Sequence, residues 1–243
     1  MGRMTDTRTA LVTGANKGIG LQIAAGLAAR GYRVAVGARN DERRQAAVAD
    51  LRRGGADAFG VRLDVSSDES VTEAITVLAG RVGQLDAVVN NAGISGPTAD
   101  GAQDPLTLDL DVVRADVETN VLGAVRVINT ALPLLRRSPS PRIVNVSSNM
   151  ASLALRTGPI MSAYAPSKTM LNAVTVQYAR RFAETDPGML INAVCPGYVA
   201  TDFTGFSGSR TPAQGAAVAI RYATLPDGGP TGGFFDDDGA IAW

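Results

Sequence analysis

Six short runs rich in β-branched residues, each apolar almost throughout, alternate along this chain with six longer stretches of helical period. The runs are Ala10–Thr13, Val34–Val36, Ala58–Leu63, Ala87–Val89, Ile143–Val146 and Leu190–Val194. Between and after them lie Ile19–Arg30, Asp41–Arg53, Ser67–Val82, Leu110–Leu135, Ala163–Glu184 and Pro212–Ala223, in which apolar residues return every three or four positions. In the first stretch Ile19, Ile23, Leu27 and Ala28 share one face. A strand that does not alternate apolar with polar residues buries both of its faces, which is what a parallel sheet covered by helices on each side requires. The pattern predicts an α/β chain of the doubly wound, Rossmann type. Its 243 residues hold no internal repeat, low-complexity tract or linker, so 1–243 reads as a single domain.

Composition removes several chemistries. The chain has no histidine, so a Ser-His-Asp triad, a Cys-His pair and an imidazole metal site are excluded. Cys195 is the only cysteine, which rules out an internal disulfide and a cysteine zinc cluster and suits a reducing compartment. Acid–base work must fall to Tyr, Lys, Asp or Glu. Lys and Arg total 23 and Asp and Glu total 23, and this neutrality argues against a nucleic-acid partner. The charge-free stretch from Pro187 to Thr201 is too short for a bilayer, and no apolar leader precedes the first strand. The expectation is a soluble, cytoplasmic protein acting on a small molecule. The acidic run Asp236 to Asp238 reads as a polar turn, with no metal expected, and Cys195 as an apolar residue with no basic neighbour to activate it.

The first strand runs into Thr13-Gly14-Ala15-Asn16-Lys17-Gly18-Ile19-Gly20 and straight on into a helix. Glycines permit a tight turn and let backbone approach a pyrophosphate, while the helix N-terminus offers free N–H groups and a positive dipole end. A structural turn uses the same residues; the strand–turn–helix context favours the phosphate loop. After the second strand comes Gly37-Ala38-Arg39-Asn40, with no carboxylate before Asp41. A carboxylate there would bind a ribose 2′-hydroxyl, whereas arginine accommodates a 2′-phosphate. Arg39 together with Lys17 therefore predicts NADP(H), the alternative being two surface charges.

Of the 23 basic residues only Lys17 and Lys168 are lysines. In so arginine-biased a chain, a lysine marks a place where a compact ammonium is needed, or chance. Lys168 stands four residues after Tyr164, so the two share a helix face. A cation beside a phenol stabilises the phenolate and brings its proton toward exchange at working pH. Taken alone, such a tyrosine is more often a half-buried core aromatic and such a lysine a surface charge. Its neighbours change the weighing: Asn145-Val146-Ser147-Ser148 and Asn90-Asn91-Ala92-Gly93 both end predicted strands, on the sheet edge where ligands bind.

With these residues in view, the chain resembles the classical short-chain dehydrogenase/reductases along nearly its whole length, and among them the carbonyl-reductase-like members. The resemblance is carried by Thr13–Gly20, Leu63-Asp64-Val65, Asn90–Gly93, Asn120, Ser148, Tyr164 with Lys168, and Pro196-Gly197 followed by Thr201. Pro230 to Phe235 is similar to the family's last strand, which brings the expected sheet to about seven strands. The resemblance implies that Gly14, Asn16, Gly18, Ile19 and Gly20 hold a pyrophosphate and that Lys17 and Arg39 read a 2′-phosphate. Asp64 and Val65 would border the adenine, and Asn91, Ala92 and Gly93 would lie along the cofactor. Tyr164 would be the general acid of a carbonyl reduction, Lys168 would bind the nicotinamide ribose and lower the tyrosine pKa, Ser148 would bind the carbonyl oxygen, and Asn120 would hold a relay water. Pro196, Gly197, Val199 and Thr201 would close over the nicotinamide end. Ser148 precedes Tyr164 by more residues than is usual in the family, which leaves Ser147 as the alternative; the place of Ser148 in the N-x-S-S pattern favours it. The intervening loop, with Leu153, Leu155 and Met161, is expected to line the substrate pocket, and 202–210 to form a short mobile lid.

The expected activity is reversible NADPH-dependent reduction of an aldehyde or ketone. The alternatives are a reductase of 3-oxoacyl thioesters and a non-catalytic NADP(H)-binding redox sensor. The family's habit of pairing through the helices at Leu110–Leu135 and Ala163–Glu184 leads to an expected homodimer or homotetramer.

Overall fold

The computed structural model describes residues 7–97 and 101–243; the parts of the single-domain and leader readings that concern 1–6 lie outside them. Seven strands form one sheet: β1 (Thr9–Thr13), β2 (Arg33–Ala38), β3 (Ala58–Arg62), β4 (Ala87–Asn90), β5 (Arg142–Val146), β6 (Leu190–Val194) and β7 (Phe234–Phe235). Their order is β3-β2-β1-β4-β5-β6-β7, and every pairing is parallel, as in Val12 opposite Val36 and Val89 opposite Val144. Among the described residues seven α-helices accompany them: α1 (Gly18–Ala28), α2 (Asp41–Arg53), α3 (Asp68–Ala79), α4 (Leu110–Val117), α5 (Gly123–Leu135), α6 (Tyr164–Thr185) and α7 (Pro212–Ala223).

Period-two alternation sends neighbouring strand residues to opposite cores. Ala10, Val12, Val34 and Val36 join Ile23 and Leu27 of α1, Leu51 of α2 and Ile220 of α7 on one face. Leu11, Ala35 and Val88 join Leu78 of α3, Ile128 of α5 and Phe182 of α6 on the other. This two-sided burial explains the unbroken apolar runs. Local chemistry fixes the helix starts: Asn40 accepts from the Arg43 N–H at 2.8 Å, Ser67 from Ser70 at 3.1 Å, and Thr211 with Gln214 forms a capping box ahead of Pro212.

Leu110–Leu135, expected as one helix, is continuous but carries a π-helical turn at Glu118–Leu122. Such a turn widens the backbone locally and is common at functional sites; here it holds Asn120, which is buried. From β1 the chain winds outward through β2 and β3, then crosses to β4 on the far side of β1. The crevice at the carboxyl ends of β1 and β4 is the switch point where doubly wound sheets bind ligands.

Candidate active site

Thr13 and Asn91 build the floor of the site. The Thr13 hydroxyl accepts the backbone N–H groups of Asn91 and Ala92, both at 3.0 Å. The Asn91 side-chain amide returns to donate to the carbonyls of Thr13 at 3.0 Å and Gly14 at 3.3 Å. Asn91 thus braces the glycine turn against the end of β4. Thr13→Val leaves these N–H groups without their acceptor, with an expected loss of about 1–3 kcal/mol in a urea titration.

The turn itself requires glycine. Gly14 and Gly18 have φ of +62° and +54°, a region that other residues enter only with strain. Helix α1 then begins at Gly18 after Lys17, an N-cap with extended backbone and no side-chain cap, so its first N–H groups are left for a ligand. Asn16 is half-buried in the loop, and Ile19 packs against the core beneath α1.

Arg39 is exposed beyond β2. It stands near enough to Asp64 to help hold that carboxyl below its ordinary range, although the larger influence is the Ser66 hydroxyl, which donates to Asp64 at 2.6 Å. Val65 is buried against Gly123. Lys17 forms an ion pair with Asp202, and Thr201 lies against Gly18, so the segment after β6 rests on the start of α1. That segment is more ordered than a glycine- and serine-rich stretch suggests. Thr201 and Thr204 form a capping box around a 3-10 turn at Asp202–Thr204, Val199 bridges to Arg210, and a side chain at Gly208 would overlap the backbone of Val199 and Ala200. Pro196 and Val199 are buried, and Gly197 turns with φ of +75°.

Helix α6 opens on Tyr164, and Gln103 sets where it starts. The buried Gln103 carbonyl accepts the backbone N–H of Tyr164 at 3.2 Å and of Ala163 at 3.4 Å, while its amide donates to Ser95 and Pro97. Tyr164 is 8% exposed. Its ring lies 5.7 Å from that of Phe203, tilted by 58°, and the Lys168 Nζ sits 5.8 Å from its centroid. Burial holds the phenol well above its ordinary pKa, against the opposing hydrogen bond of the Ser148 hydroxyl.

Lys168 is 4% exposed and donates to the Val146 carbonyl at 2.9 Å. Burial lowers its pKa to about 8, with Asp116 pulling the other way. Ser147 continues β5 inward, buried, its N–H donating to Val194 at 2.7 Å, whereas Ser148 emerges beside Tyr164 and accepts the Met150 N–H at 3.2 Å. The Asn120 side chain is fully engaged: it accepts from Ile94 N–H at 2.9 Å and donates to the Ile94 carbonyl and the Ser167 hydroxyl, each at 2.9 Å. It clasps the loop after β4 to α6. A methyl group on Gly93 would meet Asn120 at 3.1 Å and Lys168 Nζ at 3.4 Å, so the three are neighbours.

The loop between Ser148 and Tyr164 is pinned by the last residues of the chain. Ser152 donates to the Ala242 carbonyl at 2.6 Å, the Ala154 N–H to Trp243 at 3.0 Å, and Trp243 stacks on Phe234 with ring centroids 5.8 Å apart. Leu153, Leu155, Phe203 and Phe206 stand exposed. Cys195 is buried and accepts the N–H groups of Asn149 at 3.1 Å and Gly197 at 3.4 Å. Burial raises its thiol pKa, so it shapes the turn and has little thiolate character.

Among the described residues no cluster of ligating side chains could hold a metal ion, and no helix is long and apolar enough to cross a membrane.

A family model for short chain dehydrogenase matches residues 8–211. The chain belongs to the short-chain dehydrogenase/reductase family. It is 32% identical to (−)-isopiperitenone reductase of Mentha piperita, over 97% of this chain and 98% of that protein. Among solved structures it is similar to salutaridine reductase of Papaver somniferum, with a TM-score of 0.83, 27% identity and coverage of 95% of this chain and 99% of that one. It is also similar to an actinorhodin polyketide ketoreductase solved with NADPH, with a TM-score of 0.81, 29% identity and 95% coverage of both chains. Membership makes the chain a nicotinamide-dependent oxidoreductase in kind, and relatives named as reductases support carbonyl reduction as its general chemistry.

Sequence reasoning passed over two buried side chains. Gln103 lies in a polar loop with no periodicity to betray it. Asp116 did leave a signal: it stands on the same helical face as Val112 and Asn120, at intervals of four, and so is a charge on a buried face.

Proposed function

We propose that this short-chain dehydrogenase/reductase reduces aldehyde and ketone carbonyls to alcohols, reversibly, with NADPH as hydride donor and Tyr164 as general acid. The observation that carries this reading is the buried Tyr164 phenol, flanked by Ser148 and Lys168 and linked to the uncapped N-terminus of α1 by the segment whose Phe203 packs on Tyr164 and whose Thr201 lies against Gly18. The residues fit a dinucleotide, because the turn at Gly14 and Gly18 has no room or backbone freedom for side chains and α1 leaves its first N–H groups unclaimed. Gly14, Asn16, Gly18, Ile19 and Gly20 would hold the pyrophosphate, Arg39 and Lys17 a 2′-phosphate, Asp64 and Val65 the adenine, and Asn91 to Gly93 with Pro196 to Thr201 the nicotinamide half. When bound, the cofactor supplies the hydride.

The chain's own part is oxygen chemistry. The Ser148 and Tyr164 hydroxyls receive the carbonyl oxygen and donate to it as negative charge develops. Tyr164 then releases its proton to that oxygen; burial keeps the phenol protonated until so strong a base forms beside it. Lys168, as ammonium, stabilises the phenolate left behind. In the reverse direction the phenolate takes the alcohol proton. The exposed apolar side chains of Leu153, Leu155, Phe203 and Phe206 favour a carbonyl on a largely apolar body, and the 202–210 segment serves as its lid.

The test is nicotinamide oxidation with NADPH and NADH in parallel against aldehydes, apolar ketones and a 3-oxoacyl thioester. Turnover with NADPH well above NADH supports the reading. Thioester activity alone would make this a 3-oxoacyl reductase, and tight NADPH binding without turnover of any of these carbonyls would favour the sensor. Replacing Lys17 and Arg39 together by Ala should cut the NADPH preference by about 10²-fold or more and leave NADH kinetics nearly unchanged, since each cation on a phosphate is worth about 1.5–3 kcal/mol.

A further inference from the structure

We propose that Asp116 is a positioning residue for this reaction, acting through Lys168: its carboxylate is the buried counter-charge that keeps Lys168 an ammonium, and so sets the pH range over which Tyr164 can work. The inference rests on the roles given above to Tyr164 and Lys168. Asp116 has 0% of its surface exposed. Neither carboxylate oxygen has a hydrogen-bond partner among the described residues, although buried carboxylates are normally satisfied. It sits on α4 one helical turn before Asn120, so the two side chains share a face. On that face Asn120 and the Lys168 Nζ both stand over Gly93. Three residues further along the same loop, a side chain at Gly96 would meet the Asp116 Oδ1 at 3.5 Å and the Gln103 amide at 3.6 Å. The loop after β4 therefore covers the carboxylate and the ammonium alike.

Two buried charges of opposite sign in one water-poor compartment support each other's ionised state. Lys168 has donors to spare, since among the described residues only its bond to the Val146 carbonyl is taken up. Its pKa, lowered to about 8 by burial, is raised by Asp116; that of Asp116, raised to about 6 by burial, is lowered by Lys168. Around them, α6 contributes Tyr164, the buried Cys195 just after β6 lies next to Tyr164, and the end of β5 contributes the neutral Val146 carbonyl. Glu118, on the adjoining π turn, is paired with Arg126. Without Asp116, burial acts on Lys168 unopposed, the side chain loses its proton nearer neutrality, and the phenolate loses its stabilising cation.

Having only two lysines makes this directly measurable. In the full chain labelled with 15Nζ-lysine, Lys17→Arg removes the other signal and assigns Lys168. We expect Lys168 to titrate near pH 8, with a second, smaller inflection near pH 6 as Asp116 takes up its proton. In Asp116→Asn that inflection disappears and the Lys168 midpoint falls by about 1 pH unit or more; in Asp116→Glu both features persist. The alkaline limb of kcat for NADPH-dependent reduction should move down with the midpoint while KM changes less than about threefold, since binding groups are untouched. A Lys168 midpoint unchanged in a folded Asp116→Asn, or a wild-type titration without the inflection, overturns the proposal, and the second result needs no variant to fold. If the wild type turns over no carbonyl while the lysine titrates as described, the reductase reading fails and the charge coupling stands.

Discussion

Replacing Tyr164 by Phe is expected to lower kcat for carbonyl reduction by about 10³-fold, within the 10²–10⁴ range of a single general acid, with NADPH affinity unchanged within about threefold. The substitution removes one hydroxyl and keeps the ring that packs 5.7 Å from Phe203, so the fold should survive. What is lost is the phenol that we propose as the proton donor beside Ser148. The Ser148 hydroxyl, which accepts the Met150 N–H, still has its proton to donate in a hydrogen bond but is a far weaker acid than a phenol. A Tyr164→Phe enzyme with wild-type kcat would remove the tyrosine from the mechanism. A loss confined to KM would instead make it a binding group.

The second large effect is at Gly20. Its neighbours are the Gly14 carbonyl oxygen and the Asn91 side-chain amide, both closer to where a Cβ would stand than any such contact tolerates, with the Ala15 Cα at 3.0 Å. Backbone, not a flexible side-chain tip, blocks the space. Gly20→Ala must therefore push the glycine turn away from α1 and strain the Asn91 hydrogen bonds that hold it. We expect a loss of about 1–3 kcal/mol in stability, the range for overpacking. NADPH affinity should fall by about 10²-fold or more, since the N–H groups at the start of α1 no longer converge on one point. Urea unfolding and cofactor titration by fluorescence measure the two effects separately. Affinity retained in a destabilised protein would mean that the turn does not hold the phosphates.

The sheet and helices were legible because two-sided burial writes itself into sequence. The strands read as unbroken apolar runs at nearly the bounds they have, and α2, β6 and α7 coincide with the expectation residue for residue. Between Ser147 and Ser148, the N-x-S-S pattern led to Ser148; in the structure Ser147 is buried and Ser148 is half-buried beside Tyr164.

What stayed hidden depends on contacts far apart in the chain. The π turn at Glu118–Leu122 changes no residue type and left the apolar period of 110–135 intact. Gln103 is unremarkable until its amide is seen to hold the start of α6, about sixty positions away. Lys17 was expected to meet a phosphate, and the structure pairs it with Asp202 of the segment after β6. A 2′-phosphate would have to replace that carboxylate or share the lysine with it. The 202–210 segment, expected to be a mobile lid from its glycine and serine content, is stitched by the Thr201–Thr204 capping box and the Val199–Arg210 bridge.

In the proposed reaction this chain moves a hydride from NADPH to a carbonyl carbon while Tyr164 protonates the oxygen. The measurement that meets it most directly is a single turnover with NADPH deuterated at the transferring position of the nicotinamide ring, run on the best ketone or aldehyde of the panel and read by mass spectrometry of the product. The expected product is an alcohol with one deuterium on its carbinol carbon, formed about 10³-fold more slowly by Tyr164→Phe than by the native chain. Alcohol formed without deuterium, or deuterium transferred equally fast by both proteins, would contradict it.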